Sequence, residues 1–276
     1  GTMASYAGVK TALIAGAEWA VVGDDDAWCR AVSAERSAAG KPTLRIAAKG
    51  EADVFYSGGK LFERTGTGSG PVASLAGIGT LRGEHNGQNA AAAYAACKAV
   101  GLDTAAIVAG LRSFPGLPHR QELIARIDGI AYINDSKATN ADAAGKALAC
   151  YEHIHWIAGG RAKEGGLDGL EPLFHRIARA YLIGEAEAAF AAALTGKVPV
   201  SRCGDLATAV NSARQTARDD GRPGVVVLLS PACASFDQFT DFEARGDAFR
   251  GLVEALPGER ATPSRQAAQS SGSYVQ

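Results

Sequence analysis

Three short stretches of the chain combine acids, cations, hydroxyls and glycines in patterns able to do chemistry. In NDSKATN (134–140), Asp135, Lys137 and Thr139 alternate, so an extended backbone turns them the same way. An acid, an ammonium and a hydroxyl on one side can hold a ribose hydroxyl, an anionic oxygen and a carboxylate. The same residues also read as an Asp-Ser turn with Thr139 as a helix N-cap. GGRAKEGG (159–166) offers close backbone approach at Gly159 and Gly160 and a cation at Lys163, or else a solvent loop. In SPACASFDQF (230–239), Cys233 could serve as a nucleophile only beside a base or a positive charge. None of the five histidines (85, 119, 153, 155, 175) is near it in sequence, and a small buried residue in a tight turn is the competing role. Ser235 precedes a helical pattern over 236–255, whose free N–H groups and positive end can face an anion. Phe242 follows about two turns later.

Each stretch ends an apolar run and opens a helical one. Beyond the GLP at 116–118, which reads as a hinge, Glu122–Ile127 and Ile130–Asn134 flank the hairpin turn Asp128-Gly129. Helices over 139–149, 167–179, 185–195 and 205–219 then lead to strands His153–Ala158, Ala180–Ile183, Val198–Cys203 and Val225–Leu229. Near-continuous apolar strands alternating with helices predict an α/β, doubly wound parallel sheet covered on both faces. Ligands of such sheets gather outside the carboxyl ends of the strands, where all three stretches fall.

Before the hinge the pattern differs. A helix over 3–17 with Tyr6, Val9, Leu13 and Ile14 on one side, a strand Trp19–Val22 and a helix Asp24–Arg36 come first. Strand material follows over 42–64, turning at Ser57-Gly58-Gly59. Helices from Glu84 to Val100, with Gly101 as a C-terminal cap, and over 103–113 complete this half. It reads as the back of a domain that starts earlier. From Pro257 the chain is polar and mixed, a disordered tail.

Composition narrows the function. The 276 residues suggest about two domains. A formal charge of −1 with both signs interspersed gives no footprint for nucleic acid or an anionic membrane. Five widely spaced cysteines, odd in number, indicate reduced thiols and a cytoplasmic setting. No apolar run reaches the ~20 residues of a membrane span. No G-x-x-x-x-G-K-[ST] loop and no strand followed by G-x-G-x-x-G occurs, which disfavours a nicotinamide oxidoreductase.

Four strings in this order, GEHNGQNAAAA (83–93), GLPHR (116–120), INDSKATN (133–140) and SPACASFDQFTDFEARG (230–246), resemble the Mur ligases of peptidoglycan synthesis, and the last is most similar to members that add D-glutamate. The resemblance implies that 1–117 is the C-terminal portion of a central ATP-binding domain. It makes 118–256 a Rossmann-like C-terminal domain and 257–276 a polar tail. It further implies ATP-dependent joining of D-glutamate to UDP-N-acetylmuramoyl-L-alanine through an acyl phosphate, in a monomer without membrane insertion. Asn86 and Asn89 match the HNxxN pair that contacts ATP, Arg120 the arginine at its phosphates, and Asp135 and Lys137 the acid near the ribose and the lysine beside it. Thr139, Lys163, Ser235, Phe236 and Phe242 match positions around D-glutamate, while Arg161 departs from the pattern, which leaves its role open. YAGVK (6–10) resembles a Y-x-x-x-K segment whose lysine is carbamylated, and a carbamate on Lys10 would give Mg²⁺ the oxygen ligand it requires. With the UDP-sugar domain and the phosphate-binding loop outside these residues, the chain alone is expected to be inactive. A folylpolyglutamate-synthase-like glutamate ligase and a non-catalytic nucleotide- or amino-acid-binding fragment are the alternatives.

Overall fold

Apolar runs punctuated by glycine and Asx turns become the strands of two separate sheets. The computed structural model of the chain describes residues 2–66 and 68–261, and these fall into two compact units that divide at residues 116/117. In the first unit, β1 (Ala20–Gly23), β2 (Thr43–Ala47), β3 (Val54–Ser57), β4 (Lys60–Thr65) and β5 (Gly68–Ser74) lie side by side in chain order. The first three are parallel and the last three antiparallel. Gly58 and Gly59, both at positive φ, make the turn that the sequence places there. Strand β5 is unanticipated: GSGPVAS carries two glycines and a proline, which weaken a strand signal but are tolerated at a sheet edge.

Among the described residues this unit has four α-helices: α1 (Met3–Ala15), α2 (Ala27–Ala38), α3 (Glu84–Ala99) and α4 (Thr104–Ser113). The alanine-rich α3 packs Ala90, Ala91, Tyr94 and Ala95 against Ile46, Val54 and Leu61. Its small residues let the helix come close; a Cβ on Gly87 would overlap the Tyr56 ring. The apolar side expected of α1 is not buried: Tyr6, Val9 and Leu13 are exposed. The helix is tied by its C-terminal end instead, where the buried Arg36 donates to the carbonyls of Ile14, Ala17 and Pro42.

The second unit holds β6 (Glu122–Ile127), β7 (Ile130–Asn134), β8 (Ile154–Gly159), β9 (Ile177–Ile183), β10 (Val200–Gly204) and β11 (Val226–Leu229), in the sheet order β10-β9-β8-β11-β7-β6. Every neighbouring pair is parallel except β6 and β7, which Asp128-Gly129 joins as a hairpin with both residues at positive φ. Its α-helices are α5 (Ala141–Leu148), α6 (Glu187–Leu194), α7 (Leu206–Asp220) and α8 (Phe242–Glu254). Alternate strand residues feed two cores. Ile133, Trp156, Leu182 and Leu228 face the side of α5 and α6, and Tyr132, Ile157, Tyr181 and Leu229 that of α7 and α8. This is the doubly wound, Rossmann-like arrangement that the strand–helix alternation predicts.

Three expected helices change. Residues 167–179 do not form one: a short 3₁₀ turn, Glu171–Arg176, gives way at Ile177 to β9. Positive-φ glycines at 165, 166 and 169 and Pro172 near the start break an α-helix there. The N-cap of α5 is Asn140, whose Oδ1 accepts from Ala143 N at 2.8 Å, rather than Thr139. The final helix begins at Phe242, not 236, because Asp241 caps it through Ala244 N at 2.6 Å while 236–241 stay in turns. Pro257–Ala261, which composition assigns to a tail, lies along β6: Asp128 N donates to Glu259 O at 2.8 Å and Ala261 N to Arg126 O at 3.1 Å. The rest of the expected tail, 262–276, is outside the described residues, as are Gly1 and Thr67.

Candidate functional site

Parallel strands place their carboxyl ends on one edge, and β11 stands there between β8 and β7. The turn after β11 (230–241) is therefore flanked by the turns after β8 (159–166) and β7 (134–140). Hydrogen bonds join them. Gly159 N donates to Pro231 O at 2.9 Å, and Arg161 and Ala234 exchange backbone bonds of 2.9 and 3.0 Å. Gly159 and Gly160 adopt φ of 124° and 125°, which side-chain-bearing residues avoid. A Cβ on Gly160 would press on the Ala234 carbonyl and stand 3.1 Å from the Cβ of Cys233.

On the β7 side, Asp135 is only 7% exposed. Its Oδ2 accepts from Ser230 Oγ at 2.8 Å and its Oδ1 from Gln121 N at 3.1 Å. Burial pushes this carboxyl up to about 7, against the Ser230 and Gln121 donors and the charge of Arg120. Arg120 is exposed, on a backbone elbow whose flanking residues, His119 and Gln121, both have positive φ. The elbow is held from below: Asn134 Nδ2 lies 3.0 Å from His119 Nδ1, and Lys137 N donates to His119 O at 3.1 Å. Lys137 places its ammonium 3.6 Å from the centre of the Phe242 ring. Thr139 is half-buried, Lys163 exposed and Phe236 63% exposed.

Ser235 and Cys233 are both buried. Since α8 starts seven residues after Ser235, no helix N-terminus stands behind that serine. Its carbonyl instead accepts from Gln238 N and Phe239 N at 3.1 and 2.8 Å, closing a turn. Burial raises the Cys233 thiol to about 12, so it stays protonated at neutral pH and fills a tight place in the core. Arg161 forms a two-pronged ion pair with Glu185 at 3.1 and 3.0 Å, exposed on the surface. A shallow cleft of about 410 Å³ opens beyond it, lined by Glu185, Glu187, Arg202, Asp237 and Gln238. None of the anticipated ligand residues lines that cleft.

The remaining anticipated residues belong to the first unit. Asn86 and Asn89 sit in the opening turns of α3, where Asn86 Nδ2 donates to Arg82 O at 2.8 Å and Asn89 Nδ2 to Asn86 Oδ1 at 3.3 Å. Lys10 is exposed on α1, its ammonium 5.4 Å from the Tyr6 ring. No cluster of three His, Cys, Asp or Glu side chains suited to a metal occurs among the described residues. An ammonium is not a metal ligand, so the groups in place do not by themselves fit a divalent ion.

Sequence reasoning passed over Ser230, His119 and Arg245. The first is the partner of Asp135. The last ties the β7 turn to the β11 turn: Nε donates to Ser136 Oγ at 3.0 Å and Nη2 to the carbonyls of Ser136 and Cys233 at 2.9 and 3.1 Å. Arg245 stands in the motif FEARG, but an arginine in a helix pattern signals a solvated side, and only the tertiary packing buries it.

Residues 119–233 match the family profile described as Mur ligase, glutamate ligase domain. The chain is 52% identical over 260 residues to a UDP-N-acetylmuramoylalanine–D-glutamate ligase of Chelativorans sp., covering 94% of this chain and 56% of the relative. It is 60% identical over 203 residues to the ligase of the same name from Rhodospirillum rubrum, covering 74% of this chain and 43% of that one. The chain thus spans about half the length of the curated relatives it matches. Among solved structures, a pseudomurein peptide ligase type C from Methanothermus fervidus is similar with a TM-score of 0.61 at 15% identity, over 92% of this chain and 60% of that one. A folylpolyglutamate synthase from Mycobacterium tuberculosis, complexed with ADP and AMPPCP, has a TM-score of 0.57 at 20% identity, over 94% and 61%. These two likenesses establish the fold. With a matched glutamate ligase domain and high identity along most of its length, the chain belongs to the Mur ligase family.

Proposed function

We propose that this chain is part of an ADP-forming ligase that joins D-glutamate to UDP-N-acetylmuramoyl-L-alanine. The observation that carries the reading is the 52% identity to a ligase of that name over 94% of the chain. Residues 1–117 would serve as the C-terminal portion of an ATP-binding domain and 118–256 as the domain that takes D-glutamate. ATP, when bound, supplies the phosphoryl group that turns the first substrate's carboxylate into an acyl phosphate. The protein's share is positioning and charge neutralisation rather than a covalent nucleophile, in keeping with the protonated Cys233. Arg120, exposed on its elbow, meets phosphate charge. Asp135, Asn86 and Asn89 serve the nucleotide side, and Lys137, lying on Phe242, stands next to it. Lys163, Thr139 and the Ser235 turn hold the carboxylates of D-glutamate, and the exposed Phe236 with Phe242 borders them. Lys10 would ligate Mg²⁺ only after carbamylation. The whole protein would act as a cytoplasmic monomer on small molecules.

The test uses a protein of the relatives' full length. ADP release should depend on both UDP-N-acetylmuramoyl-L-alanine and D-glutamate, and L-glutamate should not replace the latter. Turnover with L-glutamate and a folate would instead mark the folylpolyglutamate class, and binding without turnover a non-catalytic role. Lys163→Ala should raise the D-glutamate KM by ~10²-fold, the loss of one preorganised partner worth ~2–4 kcal/mol. Unchanged D-glutamate kinetics would remove Lys163 from the site.

A further inference from the structure

We propose that Arg245 is a positioning residue that clamps the β7 and β11 turns together, with the β8 turn joined to them through Arg161 and Ala234, and lends this edge the positive charge a substrate carboxylate meets. The second half of this inference rests on the D-glutamate reading above; the first does not. Arg245 is among the largest fully buried side chains, 1% exposed. It reaches the β7 turn through both the hydroxyl and the carbonyl of Ser136, and the β11 turn through the carbonyl of Cys233. Ser136 Oγ passes the link on by donating to Phe242 O at 2.8 Å. Toward the β8 turn, Nη1 would stand 3.2 Å from a Cβ on Gly160, a close approach, and that turn is itself joined to the β11 turn by the paired backbone bonds of Arg161 and Ala234.

The partners are a hydroxyl and two carbonyls, none of them an anion. Nη1 is buried and has no hydrogen-bond partner among the described residues. Neutral dipoles solvate a cation without cancelling it, and a buried charge left unpaired is costly. Its field also reaches further through protein than through water. Asp237 acts on this charge from a distance, without an ion pair, while its Oδ2 accepts from Glu185 N at 3.0 Å; an arriving carboxylate on this edge adds a second opposite charge.

The experiment compares the full chain with Arg245→Lys, which keeps the charge and loses the fork, Arg245→Gln, which loses the charge, and the milder Ser136→Ala. Amide hydrogen exchange reads the clamp. In all three variants the amides of Ala138, Arg161 and Ala234 should exchange at least 10-fold faster, while Tyr181, deep in β9, keeps its rate. Wild-type rates at those three amides in Arg245→Gln or Ser136→Ala would overturn the clamp. Should either Arg245 variant fail to fold, Ser136→Ala decides it. Titration with D-glutamate, followed by amide chemical shifts, reads the charge. Arg245→Gln should weaken binding at least 10-fold and Arg245→Lys less. Equal affinities in wild type and Arg245→Gln would overturn the charge role. A wild-type chain that does not take D-glutamate would overturn both that role and the proposed substrate, and leave the clamp to the exchange rates.

Discussion

Asp135 occupies a place that works against its own ionisation. An ordinary aspartate titrates near ~3.9, whereas burial holds this one at about 7. Between those values the folded chain binds a proton that the unfolded chain does not. Its stability therefore falls as pH rises from about 4 to about 7. His155 pulls the other way: buried against Tyr181 and Asp220, its imidazole is lowered by desolvation. The unfolded chain then binds the extra proton, and stability is lost as pH drops below about 6.5. The variant Asp135→Asn removes only the first effect. Urea midpoints at pH 5 and pH 7.5 should show it gaining on the wild type at the higher pH; a pH-independent difference would contradict the raised carboxyl. Tyr132 offers a simpler case. Its hydroxyl is buried without a hydrogen-bond partner among the described residues, so Tyr132→Phe should raise stability by ~1 kcal/mol in chemical denaturation.

Among the elements, the apolar strands and the hairpin at Asp128-Gly129 could be read from the sequence because their signals are local. So could the placement of NDSKATN, GGRAKEGG and SPACASFDQF on one edge, since parallel topology alone decides it. The start of α8 could not. SFDQFTDFE offers a cap at Ser235, at Asp237 and at Asp241, and the third wins because Ser235 is drawn into the core beside Cys233. The burial of Arg245 was equally hidden, being a matter of what packs above the helix. Gly159 shows how tightly the β8 turn is made. At φ of 124°, any Cβ would press on the Ile183 carbonyl. Gly159→Ala should cost ~3 kcal/mol or more, read as a lowered urea midpoint. A loss below ~1 kcal/mol would mean that the turn can yield.

At the scale of the whole molecule, each unit has its own sheet and core, and the second is the one that a glutamate ligase domain profile recognises. The sequence resemblance and the fold agree about that unit, and the chain spans about half the length of the relatives it matches. Pro257–Ala261 lies against β6, the outermost strand of its sheet, with Glu259 N held by Asp128 Oδ1 at 2.8 Å. An uncovered outer strand is a template onto which other chains can add. Residues 259–261 pair with the Arg126–Asp128 end of β6, and by occupying it they should hinder aggregation there. A chain ending at Leu256 should form soluble oligomers or precipitate at concentrations where one ending at Ala261 stays dispersed, as light scattering would register. Equal dispersity of the two would show that β6 needs no guard.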